Sequence, residues 1–228
     1  MVNSKGSQKK TMKTLSRLLS VFLFTGLVLG LSVACAKNEE GAGYDAGIDY
    51  AVLRNPAPTN AAPGKVEVVE MFWYGCPHCF TFEPHINKWL ENKPESVEFV
   101  QMPATLNPNW IVHAQAYYAA ESMGELDKFH EPLFHAMHEQ RRRINTEDAL
   151  VRFAEAQGID GEQFRKGMNS FYTKTKIRQS QDLGMRYESR GVPMIVVNGK
   201  YKVTGSLAGS YDRMLKIVDY LVAQEAAQ

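Results

Sequence analysis

The residues able to do chemistry concentrate in one run, Met71-Phe72-Trp73-Tyr74-Gly75-Cys76-Pro77-His78-Cys79. β-Forming residues from Val66 to Tyr74 stop at a glycine, and a cysteine stands where a helix would begin, with proline in the next slot. Proline suits the first helical position, where its missing N–H has no intrahelical partner to lose. Cys76 is therefore expected to be the N-cap, its sulfur facing the unpaired amides and the positive end of the helix dipole. Such a place favours thiolate over thiol, so Cys76 is expected to be the reactive sulfur with a lowered pKa. His78 can add a hydrogen-bond donor or a positive charge to it. Cys79, three residues on, lies within disulfide reach.

Three chemistries use such a pair. A purely structural bridge closing so small a ring removes little unfolded-state entropy, on the order of 2 kcal/mol, and small secreted scaffolds rely on several bridges over longer loops. Zinc takes four ligands, and the sequence has neither a second cysteine pair nor a suitably spaced histidine pair. Redox exchange is the reading that fits best, with metal binding and a structural bridge as the alternatives.

The run Glu70 to Cys79, followed downstream by Arg190-Gly191-Val192-Pro193 and Val197-Asn198-Gly199-Lys200-Tyr201, resembles the DsbA family of bacterial periplasmic thiol oxidants, members of the thioredoxin superfamily. The likeness extends from about Tyr44 to Leu221. A low cysteine pKa and an oxidising couple are known properties of that family, so the resemblance implies both. It further implies that a Cys76–Cys79 disulfide is donated to newly exported proteins through a mixed disulfide at Cys76, with Pro77 and His78 as the dipeptide between the sulfurs. Glu70 matches a buried acid that takes or relays the proton of Cys79. The Val192–Pro193 bond is implied to be cis and packed beside the disulfide, leaving the Val192 backbone to pair with extended substrate. Trp73, Tyr74 and Met194 are candidate walls of an apolar substrate groove. The implied partners are unfolded exported polypeptides with free cysteines and a quinone-linked membrane reoxidant of the DsbB type. No cofactor and no metal are expected, and a monomer is. The competing functions are a disulfide isomerase or reductase, and a periplasmic metal-binding or chaperone module using Cys76, His78 and Cys79. An isomerase of the DsbC type needs a dimerisation domain for which Ala36 to Gly64 is too short.

Length and composition agree with export. The 228 residues are 44% hydrophobic and 22% charged, ordinary for one large domain or one domain with an insertion. Residues 1–34 hold Lys5, Lys9, Lys10, Lys13 and Arg17 and no acids, leaving 21 basic against 25 acidic residues beyond them. That balance does not suggest nucleic acid. The basic start and the uncharged Leu18 to Ala34 read as a signal peptide over residues 1–35. Leu31-Ser32-Val33-Ala34-Cys35 resembles a relaxed lipoprotein box, which would make Cys35 an acylated first residue and residues 36–43 a tether. Ala34-Cys35-Ala36 also fits ordinary signal cleavage, but an odd free cysteine is a liability in an oxidising compartment. The expected location is the periplasm, soluble or lipid-anchored through Cys35.

The elements that must position the cysteines follow from the hydrophobic pattern. Tyr44 to Leu53 suggests a short first strand, Asn55 to Gly64 a proline-rich loop, Lys65 to Trp73 a strand with two unlike faces, and Val97 to Met102 another, ended by Pro103. Val66, Val68, Glu70 and Phe72 share one face. The helix after Pro77 shows Phe82, Ile86 and Leu90 at core spacing, and Pro84 should kink it. Helices are expected over Trp110–Met123, Leu126–His138, Thr146–Gln157, Asp160–Asn169 and Phe171–Ser189, with caps at Thr146 and Asp160. Arg141-Arg142-Arg143 reads as a solvated helix end, and His130, His135 and His138 as surface residues. Met71, Met102 and Met194 are read as core packing. Met194–Asn198 and Tyr201–Val203 form a hairpin about Asn198-Gly199, and Tyr211–Ala223 closes the chain. The fold class is α/β: a thioredoxin fold, a central mixed sheet flanked by helices, formed by residues 44–104 and 176–228 and interrupted by an all-helical insertion over 105–175.

Overall fold

A strand with no exposed residue organises the molecule. β2 (Val66–Phe72) is buried along its whole length, Glu67 and Glu70 included. The computed structural model describes residues 43–227; the expected signal segment, most of the tether and Cys35 lie outside the described residues. β2 pairs in parallel with β3 (Val97–Pro103) and antiparallel with β4 (Met194–Val197). β5 (Tyr201–Thr204) continues the antiparallel side and β1 (Ala51–Val52) ends it, giving the order β1-β5-β4-β2-β3. Asn198 and Gly199, both at positive φ, make the β4–β5 turn, as a tight hairpin requires.

The two faces of β2 are more alike than its sequence suggests, because each is covered. Val66 and Val68 pack with α1 (Pro77–Asn92) and the closing α8 (Tyr211–Ala226), while Val69 and Met71 pack with Met102, Met194 and Tyr187. Central strands of this kind are hydrophobic on both sides. The first strand is short, as its sequence suggests. Asp49 accepts the Asp45 amide at 2.9 Å, and Gly47 at φ 84° folds the preceding residues into a turn. Pro103 ends β3 as its last residue, paired with Phe72. β3 is an edge strand, where a missing N–H is tolerated.

Helix α1 runs unbroken through Pro84, with Phe82 and Ile86 fully buried. Leu90 is only half-buried; Trp89 takes that place in the core, donating its indole N–H to Asp219 at 2.7 Å. Between β3 and β4 the chain is helical. After a 3-10 turn at Pro108–Trp110 come α2 (Ile111–Met123), α3 (Leu126–His138), α4 (Glu147–Ala156), α5 (Gly161–Met168) and α6 (Phe171–Arg186). Thr146 and Asp160 cap α4 and α5 by accepting the amides of Ala149 and Gln163. Arg141–Arg143 are exposed in the connection after α3 rather than at a helix end. A short α7 (Gly205–Ala208) precedes α8. Among the described residues no helix is long and apolar enough to cross a membrane.

The helical block has its own aromatic core of Phe129, Phe134, Phe153 and Phe164. It meets the sheet at Phe72, whose ring lies 5.2 Å from Tyr74, 5.4 Å from Tyr117, 5.9 Å from Phe134 and 5.0 Å from the His130 imidazole. Phe72→Ala removes that joint and is expected to lower unfolding free energy by about 3–5 kcal/mol in urea titration; a loss below about 1 kcal/mol would show that the block holds to the sheet without it.

Candidate active site

Chain geometry alone brings the two halves of the site together. The strand β2 ends at Phe72, and the Cys76 amide donates back to the Trp73 carbonyl at 2.9 Å, turning the chain into α1. A Cβ on Gly75 would stand 2.3 Å from the Trp73 ring, so only glycine allows this turn. Trp73 cannot yield: it stacks on Trp110 with centroids 4.3 Å apart and donates Nε1–H to His113 Nδ1 at 2.9 Å. The imidazole of His113 is anchored in turn at the Ile144 carbonyl, 2.8 Å away. On the far side, the antiparallel register Met71↔Met194 carries the residues just before β4 on past the end of β2. That places the cis Val192–Pro193 bond against Cys76, whose thiol donates to the Val192 carbonyl at 3.5 Å.

Both cysteines are free thiols, so the structure describes the dithiol form. They are unequal. Cys76 keeps 8% of its surface, Cys79 none. The pKa of Cys76 is lowered from an ordinary 9.0 to about 6. The largest cause is the Cys79 S–H, which donates to the Cys76 sulfur; burial opposes it, and the amides of Cys79 and His78 add to it. The exposed His78 contributes its charge as the smallest of these effects. The helix N-terminus therefore assists but does not lead, since Cys76 occupies the cap without a full side-chain capping bond. Cys79 is pushed strongly upward, first by burial and then by Cys76 and the nearby Glu70 charge. The two shifts are one fact: Cys79 keeps the proton that the pair shares.

Beneath Cys79 lies a polar pocket inside the protein. Glu70 is completely buried, and burial followed by the charge of Glu83 raises its pKa to about 8. Gln101, opposite it in the β2–β3 register, donates to Glu70 Oε2 at 3.2 Å. The same amide lies 3.2 Å from His130 Nε2, which is 3.4 Å from Glu83 Oε2, and His130 Nδ1 shares a 2.9 Å hydrogen bond with the Tyr74 hydroxyl. Sequence reasoning missed Glu83, Gln101 and His130. Glu83 had a signal: it is four residues after Cys79 on the face that also carries Phe82 and Ile86. His130 and His138 are not surface residues as expected; His130 is one turn before Phe134, and His138 donates to the Tyr74 carbonyl at 2.7 Å while stacking on Phe80. His135 is half-exposed, between Glu131 and Glu139.

The groove differs from the expected one. Tyr74 is fully buried against Phe134 and His130 and cannot be a wall, because its ring fills the joint between sheet and helical block. Trp73 is half-buried under Trp110, whereas Met194, though only 1% exposed, is among the residues lining the cleft. Met71 and Met102 are core residues. The open cleft beside Cys76, about 920 Å³, is bounded instead by His78, Val192, Pro193, Leu207 and Tyr211. Among the described residues no three His, Cys, Asp or Glu side chains are grouped to hold a metal ion.

A cysteine pair opening the helix after a central strand, with a cis-proline loop against the outer sulfur, defines a thiol:disulfide oxidoreductase of the thioredoxin fold. The comparisons narrow this. A family profile described as a DSBA-like thioredoxin domain matches residues 67–217. The thiol:disulfide interchange protein DsbA of Pseudomonas aeruginosa is 42% identical over 184 residues, 81% of this chain and 87% of that protein. Its namesake from Pseudomonas syringae pv. tomato is 37% identical over 210 residues, 92% of this chain and 95% of that one. A crystal structure of Pseudomonas aeruginosa DsbA superposes with TM-score 0.76 at 43% identity, covering 81% of this chain and 95% of that chain. This chain belongs to the DsbA family.

The lowered Cys76 pKa has a signed consequence. An acid whose folded pKa is depressed stabilises the fold at high pH and loses that contribution as pH falls through the folded value. The disulfide form has no such thiol, and Glu70 is common to both forms. Unfolding free energy of the dithiol protein minus that of the disulfide protein is therefore expected to fall by about 2–3 kcal/mol between pH 8 and pH 5. A difference independent of pH would mean that Cys76 titrates as an ordinary thiol.

Proposed function

We propose that the protein is a periplasmic oxidase of exported polypeptides, giving its Cys76–Cys79 disulfide to chains that carry free cysteines. A substrate thiolate attacks Cys76 Sγ, the one sulfur with an open face; the Cys76–Cys79 bond breaks and a mixed disulfide forms. Cys79 leaves as a thiolate and takes a proton, for which its environment has a strong preference. Glu70, still protonated near neutral pH, is the donor at hand, and Gln101 orients it. A second substrate thiolate then attacks the substrate sulfur of the mixed disulfide, releasing oxidised substrate and the Cys76 thiolate. Val192 and the cis-Pro193 loop guide the chain, and residues 105–175 serve as an insertion that seals the inner side of the site. The protein acts as a monomer, soluble or held at a membrane through Cys35, and is reoxidised by a quinone-linked membrane partner of the DsbB type.

The observation that carries this reading is the inequality of the thiols. Anything that favours the Cys76 thiolate stabilises the dithiol, and the disulfide is correspondingly ready to be given away. Equilibrium titration against glutathione tests it. The couple is expected at about −200 mV or more oxidising, against about −270 mV for thioredoxin, and a midpoint in the thioredoxin range would exclude the donor role. The proton path has its own test. Glu70→Gln is expected to slow oxidation of a cysteine peptide about tenfold or more near neutral pH, with little change in thermal stability. Unchanged exchange kinetics would remove Glu70 from the mechanism.

A further inference from the structure

The cleft beside Cys76 is chemically divided along its length. Close to the sulfur it is lined by Val192, Pro193, Leu207 and the Tyr211 ring. Thr204 pairs with Met194 at this end of the sheet, and Lys202, facing Val196, stands two residues further along β5, about 7 Å away at strand spacing. There the lining changes to Arg190 and Lys202. The neighbouring acid does not serve them: the Glu188 carboxylate is taken by Arg54 at 2.8 Å, and Lys202 Nζ donates to the Glu188 carbonyl at 3.0 Å. At the other rim Asp212 is held by His85 at 2.7 Å. Among the described residues neither Arg190 nor Lys202 has a carboxylate partner within ion-pair distance. With Arg54 included, three cations face one carboxylate. The crowding is felt at Lys202, whose pKa is lowered by burial and by the charges of Arg190 and Arg54, against the pull of Glu188.

We propose that this end of the cleft selects substrates: it seats an aspartate or glutamate side chain of the extended polypeptide whose cysteine reacts at Cys76. The inference rests on the thiol-exchange reading of the same site and adds a charge preference to it. An extended chain advances about 3.3 Å per residue, so the acid lies about two to four residues from the reacting cysteine, on the side of the chain that runs toward β5. A partly desolvated Lys202 beside the exposed Arg190 gains from a partner that supplies the missing charge, and like charge placed there is repelled. The preferred segment is thus apolar next to its cysteine and acidic beyond it.

The experiment uses oxidised protein and cysteine peptides identical except for Glu, Gln or Lys three residues before or after the cysteine. Each rate of disulfide transfer is divided by that peptide's rate with a small aromatic disulfide, which cancels the effect of the neighbouring charge on its own thiol. On one side of the cysteine the normalised rate is expected to fall from Glu to Gln to Lys, with Glu about 5- to 30-fold over Lys at low salt. That ratio should drop below about twofold in Arg190→Gln/Lys202→Gln and in wild type at about 0.5 M salt. Arg190→Gln alone, an exposed loop change, should lower it part-way and keeps the test open if the double variant folds poorly. A Glu:Lys ratio within twofold on both sides, or one that Arg190→Gln leaves unchanged, overturns the charge preference. Failure of every peptide to accept the disulfide overturns the thiol-exchange reading and the preference with it.

Discussion

The site depends on one proton held between two sulfurs in unequal surroundings. Cys76 keeps a window on solvent and receives the S–H of Cys79 together with first-turn amides. Cys79, three residues into the same helix, is shut away from water. Desolvation disfavours the charged form of any acid, so the inner sulfur holds the proton and the outer one becomes the anion. The asymmetry comes from burial, which the fold sets, more than from the dipeptide between the cysteines. Without a strand buried on both faces to carry the helix start inward, both thiols would meet solvent and the pair would lose its direction.

Burying that inner sulfur also buries acids. Glu70 and Glu83 sit below it with three of their four carboxylate oxygens lacking a hydrogen bond to a described residue. Two unshielded carboxylates cannot both ionise cheaply in such a place, so one of them stays protonated into the neutral range. The stability lost here is retained as a proton reservoir beside the leaving sulfur. Gln101 and His130 reach this reservoir from β3 and from the helical block, so both parts of the fold touch the chemistry.

Much of this was legible in the letters. Glycine before the first cysteine, proline after it and the strand pattern before both were enough to place Cys76 at a helix start. Asn198-Gly199 gave its hairpin, and Thr146 and Asp160 gave their caps, because each is a local signal with a local cause. What the letters hid depends on pairing across the chain. Gln101 becomes a partner of Glu70 only when the β2–β3 register is known. His130 and His138 resemble the polar side of an amphipathic helix until α3 is laid against the Phe72 ring. Tyr74 next to a reactive cysteine suggests a binding surface, yet the joint between sheet and helices needs a large aromatic there and takes it inward. The ranking of forces on Cys76 was equally hidden, since a helix N-terminus can be read from proline but a neighbouring thiol's orientation cannot.

His138 has a wider meaning. Its imidazole grips the peptide carbonyl just ahead of the reactive turn and lies flat on the ring just behind it. A single residue from a distant helix therefore acts as a staple across both ends of Cys-Pro-His-Cys. The four letters grafted onto a bare sheet-and-helix scaffold would bring the sulfurs without the staple, and the pose that makes them unequal would be left to chance.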